Sequence, residues 1–195
     1  KPPFWKWFVG GKISGSYNCT DRHLAKHRNK TAIHFVPEPE DEAIQHMTFQ
    51  ELYVRVNEFA ALLRDFCGLK AGDTVTLHMP MTADLAVTML ACARLGVIHS
   101  QVFSGFSGKA AADRAVDAKS RVLITGDAYY RAGKLIDHKE KADIAVEEAA
   151  KDGHTIEKVL IWQRYPGKYS AATPLVEGRD FIVNDVIKTY RHAIV

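Results

Sequence analysis

One uninterrupted run, Met79 to Ser107 (MPMTADLAVTMLACARLGVIHSQVFSGFS), does most to restrict what this chain can become, because it reads as helix, strand and glycine turn in succession. Pro80 fits just before or at the start of a helix, where its missing N–H costs little, and Thr82 is placed to cap that helix. Leu85, Ala86, Met89, Leu90 and Ala93 recur at helical spacing and predict one buried stripe, with Gly96 as the stop signal. Val97, Ile98, Val102 and Phe103 favour a strand, and Ser104-Gly105 breaks it before a new helical pattern over residues 108–118. Strand, glycine turn and helix are the local plan of a βαβ unit. Gly105 then has two readings: a tight connection, or a bare backbone that lets a phosphate-bearing ligand come close.

The same alternation continues on both sides. Thr48-Phe49-Gln50-Glu51 spells a capping box ahead of Leu52, Val56, Phe59, Ala60, Leu63 and Phe66, with Gly68 as terminator. Strands are expected over residues 74–78, 121–125 and 158–162, and a charged surface helix over 139–150. This order predicts an α/β fold with a mainly parallel sheet and helices on both faces. Ligands in such folds sit beyond the carboxyl ends of the strands, where Ser104-Gly105 and a loop over 127–134 both fall.

Toward the N-terminus, residues 1–13 are rich in aromatics, Phe4, Trp5, Trp7 and Phe8, and read as an arm packed onto a larger body. The competing reading, a membrane-interface anchor, lacks an extended amphipathic helix. A short helix is expected over 20–27 and a strand over 31–36. The acidic stretch PEPEDE over 37–42 reads as a solvated hairpin tip before a strand at 44–47, rather than a metal site. The stretch 164–178 reads as a surface excursion before a final helix near 183–190, and no internal repeat or low-complexity tract is present.

Composition narrows the function classes. With 195 residues and 47% hydrophobic content, the chain can bury a core of its own. The 26 Lys and Arg against 23 Asp and Glu are scattered, and a net +3 does not point to nucleic acid or an anionic membrane as partner. Cys19, Cys67 and Cys92 make an odd count with no CxxC pair, which argues against a disulfide scaffold and a zinc site, and for reduced thiols packed as small hydrophobes. No apolar stretch approaches the ~18 residues of a spanning helix, and no secretory pattern opens the chain. These features predict a soluble, cytoplasmic protein. The chain opens at Lys1 rather than Met, which leaves room for a short preceding leader.

Three constellations carry candidate chemistry. His23 and His27 stand four apart on an expected helix, but position 24 is Leu and HExxH is absent, so a packed or solvated pair is the simpler reading than a metal site. Asp113 and Asp117 share a helix face with Lys109 and Arg114 nearby, which reads as surface ion pairing. Arg131-Ala132-Gly133-Lys134 places two cations three apart around a small pair; it can clasp a phosphate with the Arg plane on a purine, or be a solvated turn.

Several of these segments, in this order, resemble the AMP-forming acetyl-CoA synthetases of the adenylate-forming enzyme superfamily. The matching pieces are WFVGGKI from Trp7 to Ile13, SYNCxDRHL from Ser16 to Leu24, MPM at Met79, MLACARLG ending at Gly96, HSxVFxGFS ending at Ser107 and ITGDAYYRAGK from Ile124 to Lys134. The resemblance implies that residues 1–195 are the N-terminal part of that family's large ATP- and acyl-binding domain, with 1–30 a packing arm and 31–195 an α/β subdomain. It implies that the phosphate loop, acyl pocket and C-terminal domain are absent, so that no complete active site lies here and no catalytic or metal-binding residue is assigned. The implied full reaction joins acetate, Mg-ATP and coenzyme A by way of acetyl-adenylate, releasing pyrophosphate and AMP. By position, Arg131 would stack on or brace the adenine of coenzyme A, with Ala132 and Gly133 between it and Lys134. Lys134 would pair with phosphate, and Gly105 would admit the cofactor chain. The family commonly carries two glycines before Phe-Ser where this chain has Ser104-Gly105. A side chain at 104 narrows the backbone approach. A propionate-specific sister enzyme and a free-standing coenzyme A-binding or interaction domain are the alternative readings. The implied partners are small-molecule substrates and the remainder of the polypeptide.

Overall fold

The computed structural model describes residues 2–167 and 174–195. In chain order the elements are α1 (Gly15–Cys19), α2 (Leu24–His27), β1 (Thr31–Phe35), β2 (Gln45–Thr48), α3 (Phe49–Ala61), β3 (Thr74–Met79), α4 (Ala83–Leu95), β4 (Ile98–Phe103) and α5 (Gly108–Asp117). They continue with β5 (Val122–Gly126), β6 (Ala128–Arg131), β7 (Lys134–Asp137), α6 (Lys139–Lys151), β8 (Lys158–Trp162), β9 (Asp180–Ile182) and α7 (Val183–Val186), after which Ile187–Tyr190 tightens into a 3-10 turn. Five strands form one sheet in the order β4-β3-β5-β8-β9, every pairing parallel. Two antiparallel hairpins, β1–β2 and β6–β7, stand apart from it.

The helix starts follow from local chemistry. At α3 the Thr48 hydroxyl accepts the Glu51 N–H at 3.2 Å, and the Glu51 carboxylate accepts the Thr48 N–H at 2.7 Å, the reciprocal capping box. The helix widens into a π-helical turn over Leu62–Phe66 and stops at Gly68, whose φ of +64° lets Leu69 N–H reach the Leu63 carbonyl. Gly96 ends α4 in the left-handed conformation, as expected. Thr82 occupies the N-cap position of α4 with extended backbone, but its hydroxyl makes no capping bond.

The predicted stripe of α4 needs correction. Leu85 is buried, but Ala86, Met89 and Leu90 are only half-buried and Ala93 is exposed; the deepest positions are Ala83, Val87, Thr88, Ala91 and Cys92. The helix is apolar on nearly every side, so spacing alone could not say which side meets the sheet. Likewise α6 is no mere surface helix: Ala142, Ala145 and Ala149 are fully buried, and Lys139 sits at 0% exposure with its Nζ 2.9 Å from Asp180 and 2.6 Å from Asp143. Part of the excursion expected over 164–178 lies outside the described residues.

Side chains alternate across the sheet. Val75, Leu77, Val122, Ile124, Leu160 and Trp162 face a core built with α3 and α4; Val102, Leu123, Val159 and Ile161 face one built with α5 and α6. Among the described residues no helix is long and apolar enough to cross a membrane. The aromatic arm stays bare, with Trp7 at 78% and Phe8 at 92% exposure. From Ser16 onward the chain is tied down: the Arg94 guanidinium of α4 binds Asp21, Thr20 and Ser16, and also the Val195 carbonyl.

Candidate functional site

Beyond the carboxyl ends of β3, β4 and β5 lies a cavity of about 340 Å³. Its walls come from Pro80–Thr82 after β3, Phe103 and Ser104 at the end of β4, Tyr129–Arg131 of β6, Arg164 and Tyr165 after β8, and Val36–Glu38 after β1. This is where a doubly wound sheet offers room for a ligand.

The stretch expected to be a loop over 127–134 is instead the β6–β7 hairpin, with Arg131 opposite Lys134 and Ala132-Gly133 as a two-residue tip. Both tip residues have positive φ, +51° and +73°, as a type I′ turn requires, which the bare pattern of small residues did not reveal. As a cross-strand pair at the mouth of a tight turn, Arg131 and Lys134 share one face of the hairpin, where their like charges repel each other.

Arg131 and Gly105, 26 positions apart in sequence, meet. The Arg131 guanidinium carbon lies 5.4 Å from the Phe103 ring centroid, a cation–π contact. A Cβ added at Gly105 would overlap that guanidinium and fall 2.5 Å from the Phe103 ring. Gly105 is therefore required where the Arg131 side chain crosses the turn, and the space a ligand would use beside it is shared with a movable cation. Neither Arg131 nor Lys134 takes part in an ion pair among the described residues, and both are exposed. Arg164, across the cavity, is paired with Glu42 at 2.5 Å and stacks on Phe35 at 4.4 Å.

The turn itself is held from beneath. Lys141 Nζ donates to the Ser104 carbonyl at 2.8 Å, and the Tyr129 hydroxyl donates to the same oxygen at 3.1 Å. Ser104 is 7% exposed. Below it lie His78 and His138, both fully buried with ring centroids 4.4 Å apart. Burial pushes the His78 pKa down to about 4 and that of His138 to about 3, with the nearby Lys141 cation acting in the same direction on both. His138 Nε2 is 2.9 Å from the His78 carbonyl, whereas the ring nitrogens of His78 make no well-formed hydrogen bond, and the Phe103 and Phe106 backbone only partly opposes its shift. Both rings are neutral at pH 7.

Three further residues carry no clear signal in the sequence. Asp127 is fully buried at the end of β5; its carboxylate accepts the N–H groups of Ala128, Arg164 and Tyr165 at 2.7, 3.0 and 2.7 Å. Burial raises its pKa, and those three donors pull the other way. It ties the hairpin base to the segment after β8. The only trace in the sequence is an Asp straight after a buried strand and a glycine. Glu38 and Glu42 are the others. The acidic loop is not a free solvated tip: Glu38 Oε1 accepts the Gly133 N–H at 2.7 Å, on the hairpin tip itself, and Glu42 holds Arg164.

The other constellations stay local. His23 packs on Phe49, ring centroids 4.6 Å apart, with Nε2 3.0 Å from the Asn18 carbonyl, and its ring is 6.3 Å from that of His27. Lys109 pairs with Asp113 at 3.3 Å on the surface of α5, as expected. A second cleft, about 380 Å³, runs between β1–β2 and α3; its Arg55 is already paired with Asp84.

The family described as AMP-binding enzyme matches residues 20–180. The chain is 43% identical over 187 residues to the acetyl-coenzyme A synthetase of Methanothrix soehngenii, covering 95% of this chain and 26% of that protein. It is 45% identical over 185 residues to the acetyl-coenzyme A synthetase of Wolinella succinogenes, covering 95% and 27%. It is 45% identical over 184 residues to the 3-hydroxypropionyl-coenzyme A synthetase of Sulfurisphaera tokodaii, covering 94% and 27%. The chain thus spans about a quarter of the length of these relatives.

Proposed function

The chain belongs to the AMP-binding enzyme family, and from that premise we propose that it is the N-terminal part of an AMP-forming acetate:CoA ligase whose coenzyme A site includes Arg131, Ala132, Gly133, Lys134 and Gly105. The observation that carries the ligand assignment is the meeting of Arg131 with Gly105 over the Phe103 ring, at the mouth of the cavity and beside the unpaired Lys134. An exposed guanidinium that already lies on an aromatic face can exchange that face for a purine, and two cations without carboxylate partners can take a phosphate.

In the reaction we assign, an acetate oxygen attacks the α-phosphorus of ATP and pyrophosphate leaves. The coenzyme A thiol, losing its proton, then attacks the acetyl carbonyl carbon and AMP leaves. Magnesium, when bound, neutralises phosphate charge. On the family resemblance, we assign most of the ATP and magnesium sites, and the acyl pocket, to polypeptide outside this stretch. The bare apolar arm, Phe4, Trp5, Trp7 and Phe8, we assign to contact with that remainder. We place the enzyme in the cytoplasm, where its free thiols Cys19, Cys67 and Cys92 stay reduced.

Acetate is chosen on similarity to the relatives named acetyl-coenzyme A synthetase, and offering acetate, propionate and 3-hydroxypropionate in parallel measures the choice. In the full-length enzyme, Arg131→Ala raises the KM for coenzyme A roughly ten- to hundredfold, the worth of one charge-assisted contact. Acetate-dependent ATP–pyrophosphate exchange is left intact, because it precedes the thiol step. An unchanged KM removes the site assignment; absence of any acetate-dependent exchange in the unaltered enzyme removes the ligase reading.

A further inference from the structure

We propose that His34 and His46 form a surface site for a divalent transition-metal ion of the kind that takes imidazoles at right angles, Cu(II) or Ni(II). The pair lies on the β1–β2 hairpin, where His34 stands directly opposite His46. Both are exposed, their rings meet edge-on with centroids 4.7 Å apart, and the two Nδ1 atoms are 2.8 Å from each other.

The register that makes this pair is irregular. Thr31 faces Thr48, but from Ile33 onward the pairing slips by one, so that Ile33 faces Met47 and His34 faces His46. Carried on without the slip, the Thr31–Thr48 register would have set His34 against Gln45. A bulge of this kind re-aims side chains, and here it brings two metal-ligating groups onto one point.

Distance selects the metal. Each neutral imidazole has one N–H and one lone pair, so at 2.8 Å one Nδ1 donates to the other. If the donor ring moves its proton to its own Nε2, both Nδ1 lone pairs become free for a common cation without any net proton release. With metal–nitrogen bonds of about 2.0 Å, two ligands at a right angle are about 2.8 Å apart, while tetrahedral ligands are about 3.3 Å apart. The hairpin therefore fits the square-planar or tetragonal ions and would have to open for zinc. Cu(II) heads the affinity order for nitrogen sites. Among the described residues no third His, Cys, Asp or Glu completes a cluster, so the other positions are left to water. His46 also lines the cleft between the hairpin and α3, which leaves solvent access from that side.

The test is titration of the purified protein with Cu(II) alone, followed by the visible ligand-field band and by electron paramagnetic resonance, with His34→Ala, His46→Ala and the double variant alongside. The chain has nine histidines, so the difference between proteins is what is read. The expected result is one high-affinity equivalent with nitrogen hyperfine splitting. Each single variant loses roughly tenfold or more in affinity, and the double variant is no worse than either single, because one imidazole cannot chelate. His23→Ala/His27→Ala, which removes another histidine pair, outside the buried His78–His138 pair, leaves the titration unchanged. Unaltered binding in either His34→Ala or His46→Ala overturns the site, as does an equal loss in the His23/His27 variant. Tighter binding of Zn(II) than of Cu(II) overturns the right-angle assignment.

Discussion

The two faces of the central sheet are packed on opposite principles. Against α3 and α4 the protein uses bulk: Phe59, Leu62, Leu63, Leu77, Ile124 and Leu160 are all fully buried, and the Phe59 ring lies 5.0 Å from Trp162. Against α5 and α6 it uses closeness: Ala111, Ala112, Ala115, Ala142, Ala145 and Ala149 are at 0% exposure, and Gly108 sits hard against α6. The first face is almost purely apolar, with Trp162 Nε1 satisfied by Thr88 at 3.0 Å. The second carries the buried polar groups Thr76, Ser120, His78 and His138, and above them the Ser104–Gly105 turn. Closeness leaves room for polar groups that prop a turn, and makes that half of the molecule sensitive to protons.

The largest expected effect tests that sensitivity. His78 and His138 are held neutral in the folded chain, with pKa values of about 4 and about 3, while each titrates near 6.5 when unfolded. The unfolded chain therefore takes up protons first as pH falls. Stability that is fully present above about pH 6.5 is lost down to about pH 4 for His78 and about 3 for His138, on the order of 3 kcal/mol for the first ring and 5 kcal/mol for the second. Urea unfolding between pH 7 and 4 measures it, and His78→Leu should remove one of the two steps; an unchanged pH slope in that variant would show that the bulk and close-packed faces do not differ in this way. Asp180 acts with the same sign at lower pH: burial opposes its charge, but Arg179, the Val176 N–H and Lys139 outweigh it and keep its pKa low, so its contribution is lost in acid.

The next two effects probe packing. Phe59→Ala empties the bulky face and should cost about 3–5 kcal/mol by chemical denaturation, since the surrounding helices cannot collapse into the void. Gly108→Ala fills the close-packed face. Elsewhere in a helix this change stabilises by up to ~1 kcal/mol. Here the new Cβ would lie 2.5 Å from the Lys141 carbonyl oxygen and 2.6 Å from Ile144 Cβ, so we expect a loss of about 1–3 kcal/mol. A neutral or stabilised Gly108→Ala would mean that α5 and α6 can part without penalty, and the contrast between the faces would fail.

Much of the architecture could be read along the chain. The capping box at Thr48, the stops at Gly68 and Gly96 and the strands around 74–79, 122–126 and 158–162 appear where local chemistry places them, because caps, left-handed stops and apolar runs act within a few residues. The face of α4 was misplaced because its apolar residues surround the helix, and β9, only three residues long, has too little pattern to announce itself. The candidate site was legible only in pieces. Arg131, Lys134 and Gly105 could be singled out, but not the hairpin that sets the two cations opposite each other, nor the contact of the acidic loop with its tip.

Two of the histidine pairs state the division most plainly. His23 and His27 look like a pair in the sequence, four apart on a helix, yet the first is taken up by Phe49 and the Asn18 carbonyl. His34 and His46 look unrelated, and a one-residue slip between two strands sets their nitrogens 2.8 Å apart. Helix starts, helix ends and strand runs are properties of neighbouring residues, so the order of amino acids was enough for them. Which side of α4 is buried, where the Arg131 side chain lies and which histidines meet depend on how distant segments pack and register. Those are settled by contacts that exist only once the chain has folded.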